Sequence, residues 1–144
     1  MSGYESLLFK VTDTTPNHSS RLGRIGEELA VGYLEARGYE IILRNFKVTL
    51  GRNSSGARVT GEIDLVTVHE GMLCFVEIKT RSSARFSDPF LMVNRRKRRQ
   101  IERVGRRFKR IFGLTEWKSR IDIVSVTLSS RERLRIEVLR DVPS

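Results

Sequence analysis

Residues 61–81, GEIDLVTVHEGMLCFVEIKTR, read as two β-strands around a tight turn at Glu70-Gly71. Most of this stretch is apolar or β-branched, yet it carries Glu62, Asp64, Glu77 and Lys79. A buried charge without a partner is expensive, so these residues need solvent, a counter-charge or a metal. Strand side chains alternate, which puts Phe75, Glu77 and Lys79 on one face and Cys74, Val76 and Ile78 on the other. Antiparallel pairing about the turn sets Asp64 on the strand adjacent to Glu77, with the register left open.

Working outward, residues 1–19 contain TDTTPNHSS and no sustained periodicity, and are expected to form a flexible tail before a single domain over 20–144. Ser19 or Ser20 can cap a helix beginning near Arg21. In it Leu22, Ile25, Leu29, Tyr33 and Ala36 recur at helical spacing, and Gly38 marks the stop. A strand, EIILRNF (40–46), is followed by KVTLGRNSSGARVT (47–60), which reads as a long flexible loop or a hairpin tip. Beyond the opening strand pair, SSARFSDPFLMV connects to a helix capped by Asn94, running to about Phe112 and ended by Gly113. Its apolar stripe is Ile101, Val104, Phe108 and Ile111, opposite the arginines. RIDIVSVTL and LRIEVLR supply two final strands. The order αβββαββ describes an α/β domain, a mixed β-sheet flanked by helices.

The chain of 144 residues carries a net charge of +10, and its distribution matters more than its size. Residues 95–110, RRKRRQIERVGRRFKR, hold ten Lys or Arg against one acid, leaving the rest of the chain at +1. That concentration, with Arg95, Arg96, Lys97, Arg98, Arg99, Arg103, Arg106 and Arg107 on one helix, points to a polyanion, nucleic acid ahead of an anionic membrane. Nothing marks which arginines reach base edges, so the expected contacts are to phosphates. No stretch approaches the length of a membrane span, and the first residues lack the basic n-region of a signal peptide. A lone cysteine, Cys74, fits a reducing cytoplasm and reads as a small buried hydrophobe. His18 and His69 lack ligand spacing and read as surface residues, while Trp117 and Phe112 could stack on bases but read first as core-filling aromatics.

Two neighbouring carboxylates repel, and each raises the other's proton affinity unless a cation lies between them. A hard ion such as Mg²⁺ (or Mn²⁺) supplies that cation and is commonly held by one or two carboxylates plus phosphate oxygens. It can polarise a phosphoryl oxygen and acidify a water, and an adjacent lysine can orient that water. Asp64, Glu77 and Lys79 thus hold the parts for phosphodiester hydrolysis. The first helix adds a fourth: Glu27 lies about 20° from Leu34 on the helical wheel, whereas Glu28 projects well outside the apolar arc.

GRIGEELAVGYLEARGYEIILRNF, GEIDLVTV, CFVEIKTR and RIDIVSV together resemble the YraN family of bacterial proteins, over about residues 21–128. That family is similar in its core to the restriction-endonuclease-like superfamily, whose pattern is an acid followed by acid-x-lysine on the next strand. Archaeal Holliday-junction resolvases share the arrangement, including a glutamate on the first helix. The resemblance implies a restriction-endonuclease-like fold and assigns Asp64, Glu77 and Glu27 to the metal, with Lys79 beside them as a catalytic residue. It implies a phosphate contact for Lys97 and matches Asp122 without giving it a physical role. The stretch between Phe46 and Gly61 is longer than the family's usual connector.

The expectation is a metal-dependent endonuclease that recognises DNA structure rather than sequence. Because one such site cuts one strand, action on duplexes or junctions would favour a homodimer. The alternatives are a non-catalytic nucleic-acid-binding module and an RNA- or ribosome-associated protein on the same fold.

Overall fold

A computed structural model describes residues 18–82, 95–128 and 134–140. The element order is α1 (His18–Glu35), β1 (Glu40–Arg52), β2 (Arg58–His69), β3 (Met72–Arg81), α2 (Arg95–Ile111), β4 (Ser119–Leu128) and β5 (Leu134–Arg140). This is the expected αβββαββ order. The strands form one sheet in sequence order, with β3 and β4 parallel and every other pair antiparallel. Only the parallel pair needs a crossover, and α2 lies within it.

Helix α1 begins at His18 rather than near Arg21, so Ser19 and Ser20 lie inside its first turn. The rest of the expected tail, like the Asn94 cap, lies outside the described residues. Gly38, at φ +86°, ends the helix as expected, with the Tyr39 N–H returning to the Leu34 carbonyl at 3.1 Å. The buried face is Gly26, Ala30, Val31 and Leu34, whereas Ala36 of the expected stripe is exposed. Periodicity located a helix but placed its buried face about a third of a turn off, because Glu27 and the glycines at 23, 26 and 32 interrupt the apolar signal. Gly26 packs directly on Thr80 of β3, where an added Cβ would overlap the threonine side chain. Gly23 has nothing within 4 Å, so close approach to the sheet explains Gly26 but not Gly23.

The stretch expected as loop or hairpin tip is mostly strand. β1 continues to Arg52 and β2 begins at Arg58, leaving residues 53–57 as the tip. Asn53 closes this tip by accepting the Ser55 and Ala57 N–H groups on its Oδ1 at 3.0 and 2.9 Å. Phe46, Val48 and Leu50 alternate along β1 and pack against the α2 core, which draws the polar sequence into strand. At the second hairpin, Glu70 and Gly71 have φ of 52° and 75°, the positive pair a two-residue turn requires.

Two cores sandwich the sheet. On the α1 side Ala30, Val31 and Leu34 pack on Leu65, Cys74, Val76, Val124 and Val126. On the α2 side Ile101, Val104 and Phe108 pack on Ile63, Val66, Phe75 and Ile121. Ile111, placed in the apolar stripe from sequence, is 57% exposed. Phe112 and Trp117 are likewise exposed rather than core-filling. Among the described residues, no helix is long and apolar enough to cross a membrane.

Candidate active site

The strands β2 and β3 pair only as far as Leu65 and Val76, and beyond that point they separate. Asp64 stands at the fork. Its Oδ2 accepts the Ile78 N–H at 2.7 Å, occupying a donor that the ladder has released. The fork coincides with a reversal of facing. Ile63 belongs to the α2 core and Leu65 to the α1 core, although side chains two apart on a regular strand share a face. Opposite this reversal, between the pairs Arg44↔Leu65 and Phe46↔Ile63, Asn45 adopts a left-handed φ of 53°. Asparagine tolerates that conformation better than most residues. Asn45 also stands beside the Glu27 side chain and slightly opposes the rise in its proton affinity.

Glu77 lies on the α2 face and is 3% exposed. Its two oxygens have different surroundings. Oε1 lies 3.4 Å from Lys79 Nζ and 3.6 Å from Lys97 Nζ, while Oε2 is buried and has no hydrogen-bond partner among the described residues. Burial, followed by the Glu77 charge, pushes the Asp64 carboxyl up to about 7; Glu27 adds to this and the Ile78 N–H opposes it. Glu27 on α1 is also raised above the ordinary carboxylate range, chiefly by burial and then by Glu28. Its Oε1 is a second buried oxygen without a hydrogen-bond partner among the described residues. The neighbouring Glu28 is paired with Arg44 at 2.9 Å. The two glutamates are thus separated in environment, and Glu27 is the one whose charge reaches Asp64.

Unpartnered buried carboxylate oxygens are rare, because each forgoes its hydration for nothing. A hard divalent ion would satisfy them, so the residues present fit such an ion. Among the described residues, no three His, Cys, Asp or Glu side chains converge closely enough to hold a metal by themselves. The fit is therefore to two carboxylates, Asp64 and Glu77, completed by water or phosphate oxygens in the manner of Mg²⁺.

The basic helix divides into two flanks. Arg95, Arg96, Lys97, Arg99 and Arg103 line a cleft of about 790 Å³ against Leu50 and Val59 of the β1–β2 hairpin. Arg103 and Arg107 reach across to the Leu50 and Thr49 carbonyls, each at 3.4 Å. Arg98 and Arg106 face the other way, toward the start of β4. Lys97 joins the cleft to the carboxylates through Glu77.

Asp122 acquires a physical role on the opposite face of the sheet. Fully buried, it accepts from Tyr39 Oη at 2.7 Å and from Arg120 Nε at 3.0 Å. Arg120 Nη2 also donates to His69 Nδ1 at 2.6 Å, leaving Nε2 to face the Arg37 carbonyl at 3.2 Å. His69 is stacked on Tyr39 and only 5% exposed, so the surface position expected for it is corrected. A turn-flanking histidine gives no local sign that a distant tyrosine and arginine will enclose it.

Sequence reasoning missed Asn45, Thr80 and Ser125. Asn45 was legible only as an αL-tolerant residue breaking an apolar run. Ser125 lies opposite Lys79 in the β3–β4 ladder, with a buried and unpartnered Oγ, and no sequence signal singled it out.

Comparison with known proteins gives consistent similarities. The profile of the uncharacterised protein family UPF0102 matches residues 26–126. A UPF0102 protein of Solibacter usitatus is 41% identical over 113 residues, covering 78% of this chain and 79% of that protein. One from Alkaliphilus oremlandii is 34% identical, covering 79% and 91%. Another from Geobacter sulfurreducens is 36% identical, covering 84% and 87%. Among solved structures, the crystal structure of SSO0001 superposes with a TM-score of 0.45 at 17% identity, over 97% of this chain and 59% of that one.

Proposed function

This chain belongs to the uncharacterised protein family UPF0102, and we propose that it is a metal-dependent endonuclease hydrolysing phosphodiester bonds in DNA, selected by structure rather than sequence. One observation carries the reading. Glu77 is buried with Oε2 unpartnered, beside an Asp64 carboxyl pushed up to about 7, while two lysines attend Oε1. A surface built only to bind phosphate has no use for clustered carboxylates.

In this reading Asp64 and Glu77 hold Mg²⁺ or Mn²⁺, and Glu27 assists through water or a second ion. When bound, such an ion acidifies water and polarises a phosphoryl oxygen. Lys79 orients the attacking water and stabilises charge developing on the phosphate. Lys97 contacts phosphate at the mouth of the site. Arg95, Arg96, Arg99 and Arg103 hold the backbone along the hairpin cleft without reading bases. One site cuts one strand, so double-strand cleavage uses two copies of the chain. The buried, unpaired Cys74 is compatible with a cytoplasmic setting, which belongs to the same reading.

The second reading is a non-catalytic nucleic-acid-binding module, favoured by the absence of three convergent metal ligands among the described residues. The test incubates labelled duplex, single-stranded, flapped and four-way-junction DNA with the protein in Mg²⁺, Mn²⁺ or EDTA. A Glu77→Ala/Lys79→Ala double variant runs alongside. Cleavage that requires metal and is lost in the variant is the expected result. Binding without cleavage under any metal would replace the enzyme with the module, and equal cleavage by the variant would place the activity elsewhere.

A further inference from the structure

The flank of α2 that faces away from the hairpin carries a second opening, of about 500 Å³. Phe75 and Ile121 form its floor, and Arg106, Lys109, Lys118 and Trp117 stand around it. Trp117 is 43% exposed, and its backbone is held in a turn by an N–H bond to the Leu114 carbonyl at 3.0 Å. An indole is the largest apolar side chain the fold could have buried, and here it is presented to solvent beside three cations. Two carboxylates also line the opening: Glu102, paired with Arg98 at 3.9 Å, and Glu116. The floor does not end at Ile121. A smaller hollow beside it is lined by Ile123 and Leu139, and Ile123 is the ladder partner of Glu77. The opening and the hollow thus lie one after the other along β4, the second beside the strand position that pairs with Glu77.

We propose that this groove binds single-stranded nucleic acid, with a base stacked on Trp117 and the flanking phosphates on Arg106, Lys109 and Lys118. The proposal rests on the nuclease reading and adds to it the form of the substrate that passes beside the site. A duplex keeps its base faces stacked internally and has none to offer an indole, whereas a single strand has a free face at every nucleotide. Cations beside an aromatic platform are the elements that hold a backbone while its bases stack.

Trp117 is the sole tryptophan of the chain, so its own fluorescence reports the contact. The protein is titrated in EDTA, which keeps cleavage out of the measurement. The probes are oligothymidylate and oligouridylate of about 12 nucleotides and a blunt duplex of the same length. The expected result is quenching by both single strands, and duplex binding seen by anisotropy without quenching. Trp117→Ala should weaken single-strand binding about tenfold and leave duplex binding unchanged, with Trp117→Phe retaining most of the affinity. Far-UV circular dichroism confirms that both variants fold. Single-strand binding with unchanged emission, or wild-type affinity in Trp117→Ala, would overturn the groove while leaving the nuclease reading standing. Failure of every nucleic acid to bind at low salt would overturn both.

Discussion

Asp64 has the most telling chemistry of any single residue here. Its folded pKa is about 7 against an ordinary 3.8, so between these values the native state holds a proton that the unfolded state has released. Stability therefore falls as pH rises from about 4 to about 7, and the penalty is complete above that window. Asp64→Asn keeps an oxygen for the Ile78 N–H and removes the charge. In EDTA it should raise stability at pH 8 by on the order of 1–3 kcal/mol, with no gain at pH 4, as measured by thermal denaturation across the range. An equal gain at both pH values would mean that charge is not the cause. Asp64, Glu77 and Lys79 stood out in the sequence because charge on an apolar strand is conspicuous. Asn45 did not, because its importance lies in a backbone dihedral that residue type only permits.

At the scale of elements, the site depends on how closely α1 approaches β3, and Gly26 sets that distance against Thr80. Gly26→Ala should destabilise by about 1–3 kcal/mol through overpacking, even though alanine is the better helix former. Gly23→Ala, with open space around it, should instead stabilise by roughly 0.5–1 kcal/mol. Chemical denaturation of the two variants gives opposite signs if the close approach is real, and the same sign if both act through helix propensity alone. Thr80→Ala should recover part of the Gly26→Ala loss. The helices and strands themselves were legible because periodicity and turn residues are local signals. The 47–60 stretch was not, since its Gly, Ser and Asn content reads as loop, while strand is imposed there by Val48 and Leu50 docking on a helix about fifty residues later.

For the whole molecule, the Tyr39–Asp122–Arg120–His69 network ties the α1–β1 corner to β2 and β4 on the face opposite Glu77. Burial and the Asp122 charge push the Tyr39 hydroxyl up to about 12, so it remains a donor at physiological pH. Asp122→Ala strands the buried Arg120 guanidinium and should cost about 3–5 kcal/mol in urea denaturation. An Arg120→Met/Asp122→Leu double variant should lose much less, because no unpaired charge remains. Similar losses in both would place the contribution in packing. By itself the sequence determined the element order, the two-residue turn, the basic helix and the candidate carboxylates, all written in local alternation and in residue type. Only the tertiary structure decided where β2 leaves β3, which carboxylate oxygens go unpartnered, how the cations of α2 divide between two flanks, and that His69 is enclosed while Trp117 is not. Periodicity states that a side chain has a face; what covers that face is supplied by residues far away in the chain, and burial, pairing and proton affinity follow from the cover.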